Sequence, residues 1–463
     1  MTLREKVLRG GVYLAVRQGL GIAISGVGII LLTRAIGPEA YGVYAAAFGI
    51  YTYLFIVCQL GTEVYLIRRK EEPQPQDYHQ AFSLLLLLSV VGATLAILAL
   101  PFLVRWVQIE GFGPVAVAMF ALLSVSLVHL TPLARLERAL DYRRIGLIEL
   151  SSQVAIYVVA LPLAYQELGP WAPVGGRWAS QLLSLILLYQ ASGYRPRLYW
   201  EPARVRAMVG YGLGVSSSGW LWHMRDLVNP LVVGRYAGAD AVGYVALAIR
   251  LVEQISSIIM WTSNRLSVAT FARLQEDRTR LARAVSEGMN LVLVTVGPLL
   301  AGFGLIAPWI LPLLFGSQWL PALEVYPFIA VSYLGGGASY LVSSALYVLR
   351  RIRVVAFAFL VQLLLFGGTA FLLVPYLGLR GYGWAEVMSL ASSIVVIVWF
   401  QLHVSKLKYV QAGVWFMAWA IPLFSWQLGP WVWVSPILPL VWPVTRRELL
   451  QAIAMVLRRT HRS

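Results

Sequence analysis

Apolar residues fall in blocks of roughly 20, each closed by a short polar segment, and this alternation runs the length of the chain. Blocks of about 20 residues suit helices that cross a bilayer. They predict spans near 11–33, 41–67, 81–104, 113–133, 145–166 and 171–192, then a basic, proline-marked linker from Gly193 to Arg206. A second set follows near 209–234, 241–263, 285–310, 322–349, 354–376 and 381–404, and a shorter hairpin, 411–427 and 430–445, turns at Leu428-Gly429-Pro430. Pro162, Pro298, Pro327 and the Gly335-Gly336-Gly337 run fall in mid-span, where they interrupt helices or allow close packing.

The polar turn after the first block occurs twice. Arg34-Ala35-Ile36-Gly37-Pro38-Glu39-Ala40-Tyr41-Gly42 is echoed at an offset of 201 residues by Arg235-Tyr236-Ala237-Gly238-Ala239-Asp240-Ala241-Val242-Gly243, and the flanking blocks repeat in length and order. An internal repeat of this size in a membrane chain implies two like bundles with a binding space between them. The expected fold is therefore an all-α polytopic membrane protein of about 14 transmembrane helices. Two six-helix lobes, 1–195 and 196–408, are related by a parallel repeat, and 409–463 adds a terminal hairpin and a basic tail. For the turn itself, Arg34, Gly37, Glu39 and Gly42, with Arg235, Gly238, Asp240 and Gly243, have two readings. One is a tight connection tied by Arg34 with Glu39 and by Arg235 with Asp240; the other is an outer gate whose halves meet when the space between the lobes faces the cytoplasm.

Composition sharpens this. With 59% hydrophobic and 13% charged residues, the chain has too little charge for a water-facing surface. Its net charge of +16 would suggest nucleic acid in a soluble chain, but here the basic residues sit in short loops between apolar blocks, where they set orientation and meet anionic lipid headgroups. About 29 of the 37 Lys and Arg fall in loops on one side, while the other side keeps Arg34, Arg105, Arg235 and Arg380, so both termini are expected in the cytoplasm. The first block carries Arg17 and Gln18 and outruns a signal peptide, so it is expected to remain as a span. The segment 264–284, with Phe271, Leu274 and Leu281, reads as an amphipathic helix on the cytoplasmic surface.

Catalytic constellations are sparse. The histidines have no metal-ligand spacing, Cys58 is single, and no GxxxxGK[ST] loop or Asp-x-Asp pair occurs. No outward loop is large enough for a glycan polymerase or ligase of the usual kind, so an enzyme is the weaker class, and no cofactor is expected.

Charge inside the spans is the informative chemistry. Arg17, Arg177, Arg225 and Arg250 each cost about 2.5–3.5 kcal/mol in hydrocarbon unless they meet water or a partner. At successive depths they would offer an anion a series of sites, and a guanidinium fork suits phosphate. Plainer readings stand beside this: Arg250 shares a helix face with Glu253, and Arg177 and Arg17 lie near enough to span ends to snorkel. Glu63, Glu149, Asp226 and Glu253 are candidates for counter-charges or for a coupling-ion site, with H+ or Na+ left open. Trp415, Trp419, Trp426, Trp431, Trp433 and Trp442 in the terminal hairpin suit interface anchoring or, in the other reading, the flanks of a lipid groove.

Arg17-Gln18-Gly19 and the run Leu31 to Ala45 resemble the N-terminal signature of the polysaccharide transporter family, the Wzx-type O-antigen or oligosaccharide flippases. That family belongs to the superfamily that also holds lipid II flippases and multidrug and toxin extrusion proteins. The resemblance implies a cationic cavity between two lobes and transport of an undecaprenyl-diphosphate-linked glycan from the cytoplasmic to the outer leaflet of the bacterial inner membrane. Membrane lipids, a polymerase and other glycan-assembly proteins are the implied partners, and nucleic acid is not. A lipid II flippase or a multidrug exporter of the same superfamily is the alternative, though an exporter of cations would want acidic residues at depth.

Overall fold

The computed structural model describes the backbone of residues 3–69, 71–443 and 445–446, and the side chains within these ranges except at 3–18, 218, 258, 261–266, 268 and 269. Among the described residues every regular element is helical. Nine helical segments among the described residues are long and apolar enough to cross a membrane: Gly19–Cys58, Pro75–Leu98, Phe112–Arg138, Tyr142–Tyr165, Gly219–Ser257, Arg278–Leu314, Ala322–Val348, Ile352–Leu377 and Leu379–His403. The protein is a multi-pass membrane protein.

The chain folds as two compact units. The first comprises residues 1–246 and 314–319; the second comprises 247–313 and 320–463.

In the first unit α1 (Leu3–Cys58) is two helices joined at Gly37, whose φ of 76° and ψ of 173° break the helix. Only glycine adopts such a backbone readily. A further break follows at Leu60 and Gly61, both with positive φ, before α2 (Thr62–Arg68). The predicted span 41–67 is thus a helix to Cys58 and a separate short one. α3 (Pro75–Leu98) and α4 (Leu100–Val107) follow, then α5 (Phe112–Ala121), α6 (Leu123–Val128) and α7 (Leu130–Arg138), which form one continuous crossing. α8 (Tyr142–Tyr165) and α9 (Trp171–Ser192) pack closely because Gly176 has no side chain: a Cβ there would sit 2.4 Å from the Ile156 carbonyl. Small residues at such crossings let backbones approach where hydrocarbon offers no hydrophobic drive. The first half of α1 lies along α8, with Gln153 donating to the Gly21 carbonyl at 2.7 Å and the Tyr157 hydroxyl to that of Ser25 at 3.3 Å.

α10 (Pro202–Met224) ends in a 3₁₀ turn (Arg225–Leu227) and a turn of π-helix (Asn229–Val233). α11 (Gly234–Leu274) then begins and breaks at Gly238, φ 86° and ψ −179°, the same conformation as at Gly37. The aligned glycines of the repeat therefore make the same kink.

In the second unit α11 continues to Leu274 and, after three intervening residues, α12 (Arg278–Leu314) starts. This corrects the expectation of a surface helix over 264–284: the segment is the ends of two long helices around the turn Gln275–Asp277. Its polar residues lie on helix ends that outrun the apolar core. α13 (Ala322–Val348), α14 (Ile352–Leu377), α15 (Leu379–Ser389) and α16 (Ser393–His403) complete the second set. α8, α12 and α13 each run unbroken through Pro162, Pro298, Pro327 and the triple glycine. Close packing is seen at Gly335 and Gly337, where a Cβ would lie 3.0 Å from Leu390 and 2.8 Å from Met260, and beside Pro298 at Gly297, which admits the Trp419 ring at 2.6 Å from where a Cβ would be.

The terminal pair differs most from expectation. α17 (Tyr409–Ala420) is followed by a 3₁₀ turn and α18 (Ser425–Leu428). The chain turns at Gly429, φ 97°, and returns as 3₁₀ helix over Pro430–Ile437 with one turn, α19 (Leu438–Val441). Prolines at 430, 436 and 439 remove amide donors and prevent a regular return helix. Interface anchoring describes only some of its tryptophans. Trp415 is buried and Trp419 fills the gap over Gly297, whereas Trp426, Trp431 and Trp442 are exposed, the Trp426 indole donating to the Gly304 carbonyl at 3.1 Å. The basic tail over 447–463 lies outside the described residues.

Candidate functional site

The repeat brings its two turns into contact within the first unit. A Cβ on Gly42 would lie 1.9 Å from the Ala239 carbonyl oxygen, and one on Gly243 would lie 2.4 Å from that of Pro38. Pro38 and Ala239 are themselves equivalent in the repeat, so the contact is reciprocal: each turn offers a glycine to the other's carbonyl, as at an isologous interface. The flanking arginines go different ways. Arg34 donates to the Leu314 carbonyl at 3.4 Å, while the Arg235 guanidinium lies over the rings of Trp106 and Tyr236, at 5.7 and 6.0 Å. Glu39 and Asp240 are exposed.

A stripe of aromatic residues, Tyr41, Tyr44, Phe48, Tyr51 and Phe55, runs down one face of α1 beyond the kink at three- and four-residue spacing, with ring centroids 5.5–6.4 Å apart. Arg177 of α9 reaches this stripe: its guanidinium sits 4.6 Å from the Phe48 centroid and hydrogen-bonds Tyr44. It is turned into the helices, where a cation–π contact and a hydroxyl offset part of its desolvation. Tyr51 in turn donates to Ser126 at 2.6 Å.

Arg225 lies on the 3₁₀ turn that ends α10, with its guanidinium 5.4 Å from the Trp222 ring, and Asp226 beside it pairs with His223 at 3.0 Å. In the second unit Arg250 and Glu253 approach to 3.8 Å, both about half exposed, and Glu253 accepts from the Tyr333 hydroxyl at 3.1 Å. Glu63 is half-buried on α2 near Glu137 of α7, and Glu149 is exposed on α8. The Arg17 side chain lies outside the described residues. Among the described residues no group of three or more His, Cys, Asp or Glu side chains converges with metal-ligand geometry.

Sequence reasoning passed over two clusters. Glu386 of α15 is fully buried and accepts from Ser332 at 2.7 Å and Tyr382 at 3.2 Å; a lone acid in the middle of an apolar block was the signal for it. The other is a polar hub on the side of the basic loops. Asp77, buried at the start of α3, takes Arg69 at 2.7 Å and Arg204 of α10 at 2.5 Å, and caps its own helix through the Gln74 amide. The linker is stitched to α3 beside it, its Tyr199 and Glu201 amides donating to Ser83 and Gln80. Arg138 caps the end of α2 by donating to the carbonyls of Leu66, Ile67 and Arg69 at 3.0 Å each. Asp77→Ala leaves two guanidiniums facing each other without their shared anion. We expect about 3 kcal/mol of destabilisation, the low end for a broken buried pair because both arginines are partly exposed. Thermal unfolding of the purified protein in detergent measures it.

The hub also has a pH dependence. Hydrogen bonds from Arg204, then from Tyr199, hold the Glu201 carboxyl below its usual range, and hydrogen bonds to Glu201, then to Asp77, raise Arg204. A depressed carboxylate contributes stability above its ordinary pKa of about 4.3 and loses it as pH falls through the lower folded value. The stability difference between wild type and Glu201→Gln should therefore be constant from neutral pH down to about 5 and vanish in stronger acid.

A family model described as "Polysaccharide biosynthesis protein" matches residues 31–324. The succinoglycan biosynthesis transport protein ExoT of Rhizobium meliloti (strain 1021) is 26% identical over 317 residues, which cover 65% of this chain and 61% of that protein. The lipopolysaccharide biosynthesis protein WzxC of Escherichia coli (strain K12) is 23% identical over 337 residues, 72% of this chain and 68% of that one. The match thus spans about two thirds of the length of these relatives. Among solved structures, the lipid II flippase MurJ in an inward closed conformation superposes with a TM-score of 0.70 at 13% identity, covering 94% of this chain and 99% of that one, a likeness of fold alone.

Proposed function

Taking as premise that the chain belongs to the polysaccharide biosynthesis protein family, we propose that it is a flippase for a lipid-linked oligosaccharide. The cargo is an undecaprenyl-diphosphate-linked glycan, carried from the cytoplasmic to the outer leaflet of the bacterial inner membrane. The names of its relatives, a succinoglycan transport protein and a lipopolysaccharide biosynthesis protein, support a glycan cargo. The mechanism is alternating access between the lobes 1–195 and 196–408, with 409–463 appended and both termini cytoplasmic. The single observation that carries it is the reciprocal packing of Gly42 on Ala239 and of Gly243 on Pro38, each turn kinked at the matching glycine. A contact made of two copies of one element is suited to act as the outer gate, because it forms or breaks as a whole.

The physics of the cargo fits. A diphosphate and its sugars do not cross hydrocarbon, whereas the prenyl tail can stay in lipid, so the protein has to solvate only the head. Arg17, Arg177, Arg225 and Arg250 supply the cations, guanidinium being suited to phosphate oxygens. Glu63, Glu149, Asp226 and Glu253 are the counter-charges, among which a coupling H+ or Na+ would bind. Polymerase and other assembly proteins would receive the product on the outer side.

The test is complementation of a strain lacking its own O-antigen flippase, together with reconstitution. Proteoliposomes loaded with a fluorescent undecaprenyl-diphosphate oligosaccharide should expose it to an added quencher in a protein-dependent manner. Protection equal to that of empty vesicles, or exposure of lipid II but of no oligosaccharide carrier, overturns the cargo assignment.

A further inference from the structure

Between α12 and α13 the stretch Leu314–Trp319 belongs to the first unit, although the rest of α12 and all of α13 do not. It ends in Trp319, which is fully buried. The ring stands edge-on to Tyr41, with centroids 5.8 Å apart and planes at 71°, and to Tyr244, at 6.0 Å and 85°. Tyr41 belongs to the first repeated turn and Tyr244 directly follows Gly243 of the second, so one indole lies against both. Its Nε1 donates to the Thr33 carbonyl at 3.3 Å, and Arg34, the next residue, donates back to the Leu314 carbonyl at the other end of the loop. Gln318 rests against Gly37, where a Cβ would come within 3.8 Å of its amide. The loop is therefore fastened at both ends to the last turn of helix before the kink, and its tryptophan fills the place where the two turns meet.

A polar connection of this kind, Gly316-Ser317-Gln318, ordinarily runs over a surface. Here it delivers the largest side chain available to a site formed by segments about 200 residues apart in the repeat. Edge-to-face rings and an indole donor both require close, fixed geometry. If the turns separate, the indole cannot keep both tyrosines, because Tyr41 lies with the first turn and Tyr244 with the second.

We propose that Trp319 is the bolt of the contact between the repeated turns: seated, it holds them together, and they part only when the loop between α12 and α13 withdraws it. This rests on the reading of the turns as a gate, and it adds a part that neither repeat contains. The loop carries the state of the gate to α12 and α13 through the chain itself, without a bound ligand.

The experiment measures the distance between the turns directly. Spin labels at Glu39→Cys and Asp240→Cys, exposed positions on the two turns, are introduced with Cys58→Ala, and pulsed dipolar spectroscopy is recorded in nanodiscs without cargo. With Trp319 present a single short distance dominates. Trp319→Ala should raise the population of a longer distance at least tenfold. Trp319→Phe, which keeps a ring for both tyrosines but has no donor for Thr33, should give an intermediate shift. Should Trp319→Ala lower expression, Trp319→Phe and Tyr244→Leu carry the test, and both should lengthen the distance. An unchanged distribution in these variants overturns the bolt. The two readings can fail separately. A wild type locked at one distance with and without cargo, yet loosened by Trp319→Ala, keeps the bolt and sinks the gate. A wild type that moves with cargo, and whose variants match it, does the reverse.

Discussion

Gly42→Val abolishes transport while the protein still inserts into the membrane in near-normal amount. The valine Cβ would stand 1.9 Å from the Ala239 carbonyl oxygen, a backbone atom that cannot rotate away, so the two turns have to separate. Gly243→Val acts the same way from the other side, against Pro38 at 2.4 Å. Both glycines lie in regular helix beyond the kinks, so a side chain brings no backbone strain of its own and the penalty falls on the closed contact alone. Overpacking of this kind costs about 1–3 kcal/mol where neighbours can shift, and more where they are main chain. Against a two-state equilibrium, each 1.4 kcal/mol changes the closed population about tenfold. Distance measurements between the turns, and transport in proteoliposomes, check this together. Wild-type transport by Gly42→Val would remove the turns from the mechanism.

Arg225→Ala and Arg250→Ala each lower flipping by about ten- to a hundredfold, the equivalent of losing a hydrogen bond to a charged group, roughly 1.5–3 kcal/mol. Folding is little affected, because neither side chain is deep in a packed core: Arg225 is half-buried beside Trp222, and Arg250 is half exposed. Lysine keeps the charge but not the planar fork, and should restore only part of the rate. Glu253→Gln separates the two readings of Arg250. If the pair exists only for mutual neutralisation, removing the carboxylate harms stability and leaves transport intact. If Arg250 meets the cargo, freeing it from Glu253 changes the affinity for the diphosphate head. Full complementation by both alanine variants would end the case for these arginines.

Much of the fold was legible because hydrocarbon imposes a simple rule, that backbone polar groups be satisfied within each crossing. The block at 171–192 and the helix Trp171–Ser192 coincide, and most other spans agree to within several residues. The repeat was legible through its glycines, since Gly37 and Gly238 occupy a conformation other residues avoid. The misreadings share a cause. Over 264–284 the pattern suggested a separate helix where the ends of two long ones meet, and over 41–67 it missed a break. Helix α11 runs on into polar sequence, and Leu60 and Gly61 turn the chain within an apolar one.

By itself, the sequence determined the apolar blocks that become helices, the doubled turn, the asymmetry of the basic loops and the presence of arginines in costly places. Those are properties of composition and of local backbone, and each residue carries its own share. What only the tertiary structure decided is which distant groups meet: Asp77 with Arg69 and Arg204, Arg177 with Tyr44 and Phe48, and Trp319 with one tyrosine from each turn. Local pattern cannot encode these, because a hydrogen bond or an edge-on ring contact depends on positions a few ångströms apart in space, and the chain brings them together only after its helices have packed.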